Sequence, residues 1–69
     1  MEMNDRRVHD CCVMVEKGRC RDLTIVCDSE EEASDVLLAV LAWIRHEGKK
    51  KKGVHIHATR SMNEVRIMR

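Results

Sequence analysis

The chain has 69 residues, of which 43% are hydrophobic and 36% charged, and its formal net charge is +1. A chain of this length forms one domain with a modest core, because only about 60% of the unfolded surface is buried at this size. The composition excludes an intrinsically disordered tail. Proline, phenylalanine and tyrosine are absent and tryptophan occurs once, which disfavours a surface that stacks on nucleic-acid bases.

Targeting and membrane-spanning segments are not evident. Residues 1–7 are polar and lead into no apolar region such as a signal peptide carries. The longest apolar run, Val36 to Ile44, is less than half of the roughly 20 residues that span a bilayer. We therefore expect a soluble protein, cytoplasmic or recombinant, that is neither secreted nor bound to a membrane. In a reducing compartment the four cysteines are expected to be thiols, and the sequence does not choose among the three possible disulfide connectivities.

Residues 7–28 alternate between apolar and polar side chains, which predicts a β-hairpin. A three-residue turn, Lys17 to Arg19, joins the two strands, with Gly18 in the left-handed conformation. The inward-facing residues of the two predicted strands are Cys11, Val13, Val15, Leu23, Ile25 and Cys27.

A capped helix follows this hairpin. Ser29 and Glu32 form a capping box, and the acidic first turn complements the positive end of the helix dipole. The helix is predicted to run to about Glu47 and to stop at Gly48. Trp43 lies on the flank of its apolar stripe, which consists of Ala33, Val36, Leu37, Val40, Leu41 and Ile44.

The last third of the chain predicts a second hairpin. Val54, Ile56 and Ala58 alternate with polar residues and indicate a third strand. Val65 and Ile67 indicate a fourth strand, although residues 61–64 also match a capping box that would start a short helix. We favour the strand, because so short a terminal helix is marginal and the third strand needs a partner.

These elements predict an α+β fold of order β-β-α-β-β, with one helix packed on one face of a four-stranded mixed sheet. Two strand orders fit, 1-2-3-4 and 2-1-4-3, and the second resembles the ubiquitin-like β-grasp arrangement. The predicted single domain, 1–69, divides into a frayed N-terminus (1–6), a hairpin (7–28), the helix (29–48), a basic loop (49–53) and the second hairpin (54–69).

Two groups of side chains have residue types that support chemistry. His55 and His57 project side by side from a strand and would hold a metal with Cys12 or Asp10 as a third ligand. Cys12 and His57 would also form a nucleophile–base pair if their strands were neighbours. The absence of a metal-binding spacing, an orienting group and a phosphate-binding glycine loop favours solvated histidines instead. We expect no enzymatic activity, no cofactor and no bound metal.

Basic side chains are concentrated in residues 48–69, which hold seven basic residues and one acidic residue. Residues 29–47 hold one basic residue and five acidic residues. Lys49 to Lys52, with Arg60, Arg66 and Arg69, would contact phosphates. The near-zero net charge and the lack of aromatic residues disfavour nucleic acid as the partner. The uncovered face of the sheet leaves room for weak self-association.

The local patterns at Asp28 to Ala33, Ile44 to Lys49 and Val54 to Arg60 resemble the strand, capped-helix, glycine-stop and strand units of computationally designed idealised α/β mini-proteins. The resemblance implies a designed or engineered structural domain with no evolved biochemical activity and no required partner. The alternative is a small natural binding module that contacts nucleic acid or a protein through the open sheet face or the Lys49–Lys52 loop.

Overall fold

The computed structural model describes residues 6–50 and 54–69. Two helices lie on one face of a three-stranded sheet whose order is β1-β3-β2, and both strand pairings are antiparallel. The predicted four-stranded mixed sheet with a single helix is therefore wrong, as are both of the predicted strand orders. The elements in chain order are α1 (Arg6–Glu16), β1 (Asp22–Val26), α2 (Glu30–Lys50), β2 (His57–Ser61) and β3 (Glu64–Met68).

The first predicted strand is the helix α1. Its buried residues are Val8, Cys12 and Val15, and this spacing of four and three places them on one helical face. The predicted alternation put Val13 inward, whereas Val13 is only half-buried. The sheet therefore has one strand fewer than predicted. A second helix, α1, covers part of β1 and β3.

The turn after α1 has the predicted glycine conformation but a different role. Gly18 has φ +80°, its N–H donates to the Val15 carbonyl (3.0 Å), and the Arg19 N–H donates to the Met14 carbonyl (3.0 Å). These two bonds form a Schellman motif, which satisfies carbonyl groups at the end of a helix. Gly18 therefore ends α1 and does not join two paired strands.

The start of α2 confirms the predicted capping box, and its end does not follow the prediction. Ser29 Oγ accepts the Glu32 N–H (3.1 Å), while Glu32 Oε1 accepts the Asp28 N–H (2.6 Å). The helix continues through Gly48 to Lys50, because one glycine in a helix costs only about 1 kcal/mol. Lys49 and Lys50 thus belong to α2, and the remainder of the predicted basic loop lies outside the described residues.

The last third forms the strands β2 and β3, joined by the two-residue turn Met62-Asn63. The short terminal helix is not formed. Met62 has φ 56°, a conformation that glycine adopts more readily than methionine. β3 is the central strand, and its Val65 and Ile67 are fully buried. β1 and β2 run parallel to each other with β3 between them, so α2 connects them across the helical layer.

The apolar stripe of α2 is buried unevenly, and α1 packs against one flank of it. Leu37, Trp43 and Ile44 are half-buried, while Leu41 is 38% exposed. The Trp43 Nε1–H donates to His9 Nδ1 on α1 (3.3 Å), and the two rings meet edge to face. The flank of α2 that holds Trp43 is therefore an internal helix–helix contact. The core consists of Val8, Cys12, Val15, Ile25, Cys27, Ala33, Val36, Val40, Ile56, Val65 and Ile67.

Candidate anion-binding cleft

An open cleft of about 590 Å³ lies where β1 begins and β3 ends, next to the turn that follows α1. Three guanidinium groups and one carboxylate group belong to the described residues that line it. Two strands and a helix cap thus bring a concentration of positive charge to one end of the sheet. The lining residues are Gly18, Cys20, Arg21, Asp22, Arg66, Met68 and Arg69.

Pairing between β1 and β3 places Arg21 next to Arg69, while Arg66 lies opposite Thr24. The Arg69 N–H donates to the Arg21 carbonyl (3.2 Å), which makes these two residues neighbours across the strands. Asp22 lies opposite Met68, and Arg66 Nη2 donates to Asp22 Oδ2 (2.6 Å). Because both side chains of this ion pair are about half exposed, it contributes at most about 1 kcal/mol to stability.

The helix cap shapes the floor of the cleft. A Cβ atom built at Gly18 would lie 2.6 Å from Arg69 Nη1, so the guanidinium group passes directly over the glycine. The same residue that ends α1 therefore provides the space in which the Arg69 side chain lies. The position of the Arg69 guanidinium group therefore depends on the glycine that ends α1.

The open face of the sheet continues from the cleft. In the sheet register, Thr24 of β1 and Thr59 of β2 flank Arg66 of β3 on either side. All three side chains are exposed on the face opposite the helices. Hydroxyl groups beside a guanidinium group provide further hydrogen-bond donors for an anion.

The residues considered for a metal site are not brought together. Cys12 is fully buried in α1 beneath the sheet, whereas His57 is exposed on the opposite face and His55 is exposed before β2 begins. Among residues 6–50 and 54–69, no three His, Cys, Asp or Glu side chains form a group that could hold a metal ion. The Cys12–His57 nucleophile pair is not assembled either, since the sheet separates the two side chains.

Burial also suppresses the reactivity of Cys12. Loss of solvent and the neighbouring Cys11 raise the pKa of the Cys12 thiol to about 12. Since the thiolate is the nucleophile and metal ligand, Cys12 is protonated and unreactive at neutral pH. All four cysteines lie in the described ranges, and none of them is in a disulfide bond.

The predicted basic third of the chain is divided among separate surfaces. Lys49 and Lys50 are exposed at the end of α2. Arg60 lies on the helix-facing side of β2, where its Nη1 donates to the Met62 carbonyl (2.7 Å) and lies 3.8 Å from Glu30 Oε1. Of the described residues in this basic third, Arg66 and Arg69 line the cleft. Sequence reasoning missed Arg21 and Asp22 as site residues, because strand pairing alone brings them close to residues more than 40 positions away.

Comparisons with protein-family models, curated proteins and solved structures found no match to this chain. Of the helices in the described ranges, none combines the length and the apolar character that crossing a bilayer requires.

Proposed function

We propose that the protein is a small binding module that takes a phosphate group in the cleft at the end of β1 and β3. The observation that carries the proposal is that Arg21, Arg66 and Arg69 all line one open cleft. It develops the binding-module alternative of the sequence analysis, with the cleft in place of the Lys49–Lys52 segment.

The chemistry of the lining suits a phosphate group. A guanidinium group presents a planar fork of N–H donors that matches phosphate and carboxylate oxygens. Asp22 already occupies one N–H of Arg66, which leaves an excess of two positive charges in the cleft. A dianionic phosphate balances that excess. The volume of about 590 Å³ lies within the roughly 300–1,000 Å³ range of small-molecule sites.

The surroundings of the cleft are compatible with two sources of phosphate. A phosphorylated small molecule would fill the cleft alone. A nucleic-acid strand would place one phosphate in the cleft and continue over Thr24 and Thr59 on the open sheet face. The scarcity of aromatic side chains means that the backbone of such a strand, and not base stacking, would provide the affinity.

Titration followed by amide NMR tests the proposal. Inorganic phosphate is expected to shift the amide signals of residues 18–22 and 66–69, with potassium chloride at matched ionic strength as the control. Arg69→Gln is expected to weaken binding about tenfold, since a hydrogen bond to a charged group contributes about 1.5 kcal/mol or more. Arg45→Gln on the exposed surface of α2 removes the same charge outside the cleft and should leave the affinity unchanged.

A labelled single-stranded oligonucleotide distinguishes the two sources. Binding that shifts the same amides and weakens steeply with salt identifies a phosphodiester backbone. Phosphate binding without oligonucleotide binding identifies a small phosphorylated ligand. If neither compound shifts these amides at about 50 mM salt, the proposal is refuted. That outcome would favour the other sequence-based prediction, a designed structural domain without a ligand.

A further inference from the structure

The outer edge of β1 presents a regular row of backbone hydrogen-bonding groups. The Arg21 carbonyl accepts a bond from β3, and the Cys27 N–H donates one to the Asn63 carbonyl. In an antiparallel pair, every second residue exchanges both of its bonds with the same neighbour. The odd-numbered residues of β1 therefore bond to β3, and the N–H and C=O groups of Asp22, Thr24 and Val26 point to the outer edge.

Apart from the charge of Asp22, this edge lacks the features that usually protect an edge strand. β1 is at the end of the strand order, and no described element pairs with its outer side. It contains no proline and no lysine, and its register with β3 is continuous without a bulge. Val26 at its end is 62% exposed. An unprotected edge of this kind is a template for pairing with another strand.

We propose that the outer edge of β1 pairs antiparallel with the same edge of a second copy of this chain. The two-fold axis passes between the two Thr24 residues, so Asp22 of each copy lies opposite Val26 of the other. All three pairs then join residues whose backbone groups point outward, as the hydrogen-bonded pairs of an antiparallel ladder require. The product is a continuous six-stranded sheet with an isologous interface.

The side chains favour this register over its neighbours. Leu23 lies opposite Ile25 of the second copy, which extends the apolar layer beneath the helices. A shift of two residues in one direction would place Asp22 directly opposite Asp28, where like charges repel. A shift in the other direction would align fewer outward-pointing groups of the two five-residue strands.

The interface explains why a second copy is the occupant. The Thr24-centred register makes the edge complementary to itself in backbone pattern and in apolar packing. Two strands of five residues bury less surface than the roughly 1,200 Å² of a standard interface, so the dimer is expected to be weak and concentration-dependent. The proposal does not depend on phosphate binding. It also places self-association at the sheet edge, whereas the sequence analysis assigned it to the open face.

Charge variants of Val26 test the register. Its exposed side chain would lie opposite Asp22 of the second copy, so Val26→Asp would place two carboxylates together at each end of the interface. The two repulsions together are expected to raise the dimer Kd about tenfold. Val26→Lys provides the opposite charge at the same position and is expected to lower the Kd. Sedimentation velocity at several concentrations measures both, and circular dichroism checks that each variant is folded, because Val26 also neighbours Glu64 on β3.

Thr24→Pro tests the edge itself, since it removes an outward-pointing N–H group and leaves the bonds between β1 and β3 intact. We expect this variant to be monomeric, and the Thr24 and Val26 amides of the unmodified chain to gain exchange protection as concentration rises. A monomer at about 1 mM would overturn the proposal. Equal effects of Val26→Asp and Val26→Lys would also overturn it. Protection independent of concentration would show that the same chain covers the edge and would likewise refute it.

Discussion

Cys12 makes the stability of the fold sensitive to alkaline pH. Its side chain is fully buried between α1 and the sheet, and its pKa is raised from 9.0 to about 12 by desolvation and by Cys11. One pH unit corresponds to about 1.36 kcal/mol for a single titrating group. The folded state therefore favours the protonated thiol by an amount on the order of 4 kcal/mol relative to the unfolded chain.

The protonation states of the folded and unfolded chains determine whether stability rises or falls with pH. Below pH 9 both the folded and the unfolded chain hold the proton, so this contribution to stability is fully present. Between pH 9 and about 12 the unfolded chain releases the proton and the folded chain retains it. The free energy of unfolding should therefore fall by up to about 1.4 kcal/mol per pH unit in that window. A 69-residue domain with a stability of about 5 kcal/mol would lose most of it.

Urea denaturation under reducing conditions at a series of pH values measures this effect. Cys12→Ala removes the titrating thiol and is the reference. Both proteins carry Cys11→Ala, because Cys11 interacts with Cys12, and the more distant groups that titrate in this range then affect both proteins equally. The reference is expected to be less stable at neutral pH by about 1 kcal/mol or more. Its stability should also depend less on pH above 9. Parallel pH profiles for the two proteins would refute the assignment of the alkaline transition to Cys12.

Three further substitutions test local features of the chain. Met62→Gly should raise the melting temperature by several degrees, because it relieves a positive φ that costs methionine about 1 kcal/mol and Met62 is largely exposed; an unchanged midpoint would argue against strain in this turn. Ser29→Ala should lower the free energy of unfolding by about 1 kcal/mol in urea titrations, and no loss would mean that the cap of α2 is dispensable. Gly18→Ala and Gly48→Ala should change stability in opposite directions, by about 1 kcal/mol each. The first has φ +80° and meets Arg69, whereas the second lies within a helix with nothing nearby, so a shared sign would contradict the backbone assignments.

Several local features could be predicted from neighbouring residues alone. The capping box of Ser29 and Glu32 is formed as the pattern indicated, and Gly18 adopts the left-handed conformation. The strands that hold Ile25 and Val65 follow from their alternating apolar residues. Such features depend on hydrogen bonds and steric limits within a few residues, which the order of amino acids specifies directly.

The helix α1 shows where this kind of reasoning is ambiguous. Val13 and Val15 alternate as in a strand, while Val8, Cys12 and Val15 recur with the period of a helix. β-branched residues favoured the strand, but packing against β1, β3 and α2 determines the outcome. The wrong assignment of one element changed the strand number, the number of helices and the predicted position of Cys12.

The sequence by itself thus determined the N-terminal cap of α2, the conformation of Gly18 and the strands that hold Ile25 and Val65, because their causes are local. The tertiary structure decided that residues 6–16 form a helix, that β3 lies at the centre of the sheet, and that Arg21 meets Arg66 and Arg69 in one cleft. It also left the outer edge of β1 unpaired in the described chain. These outcomes depend on contacts between residues far apart along the chain, whose energies local patterns do not reveal.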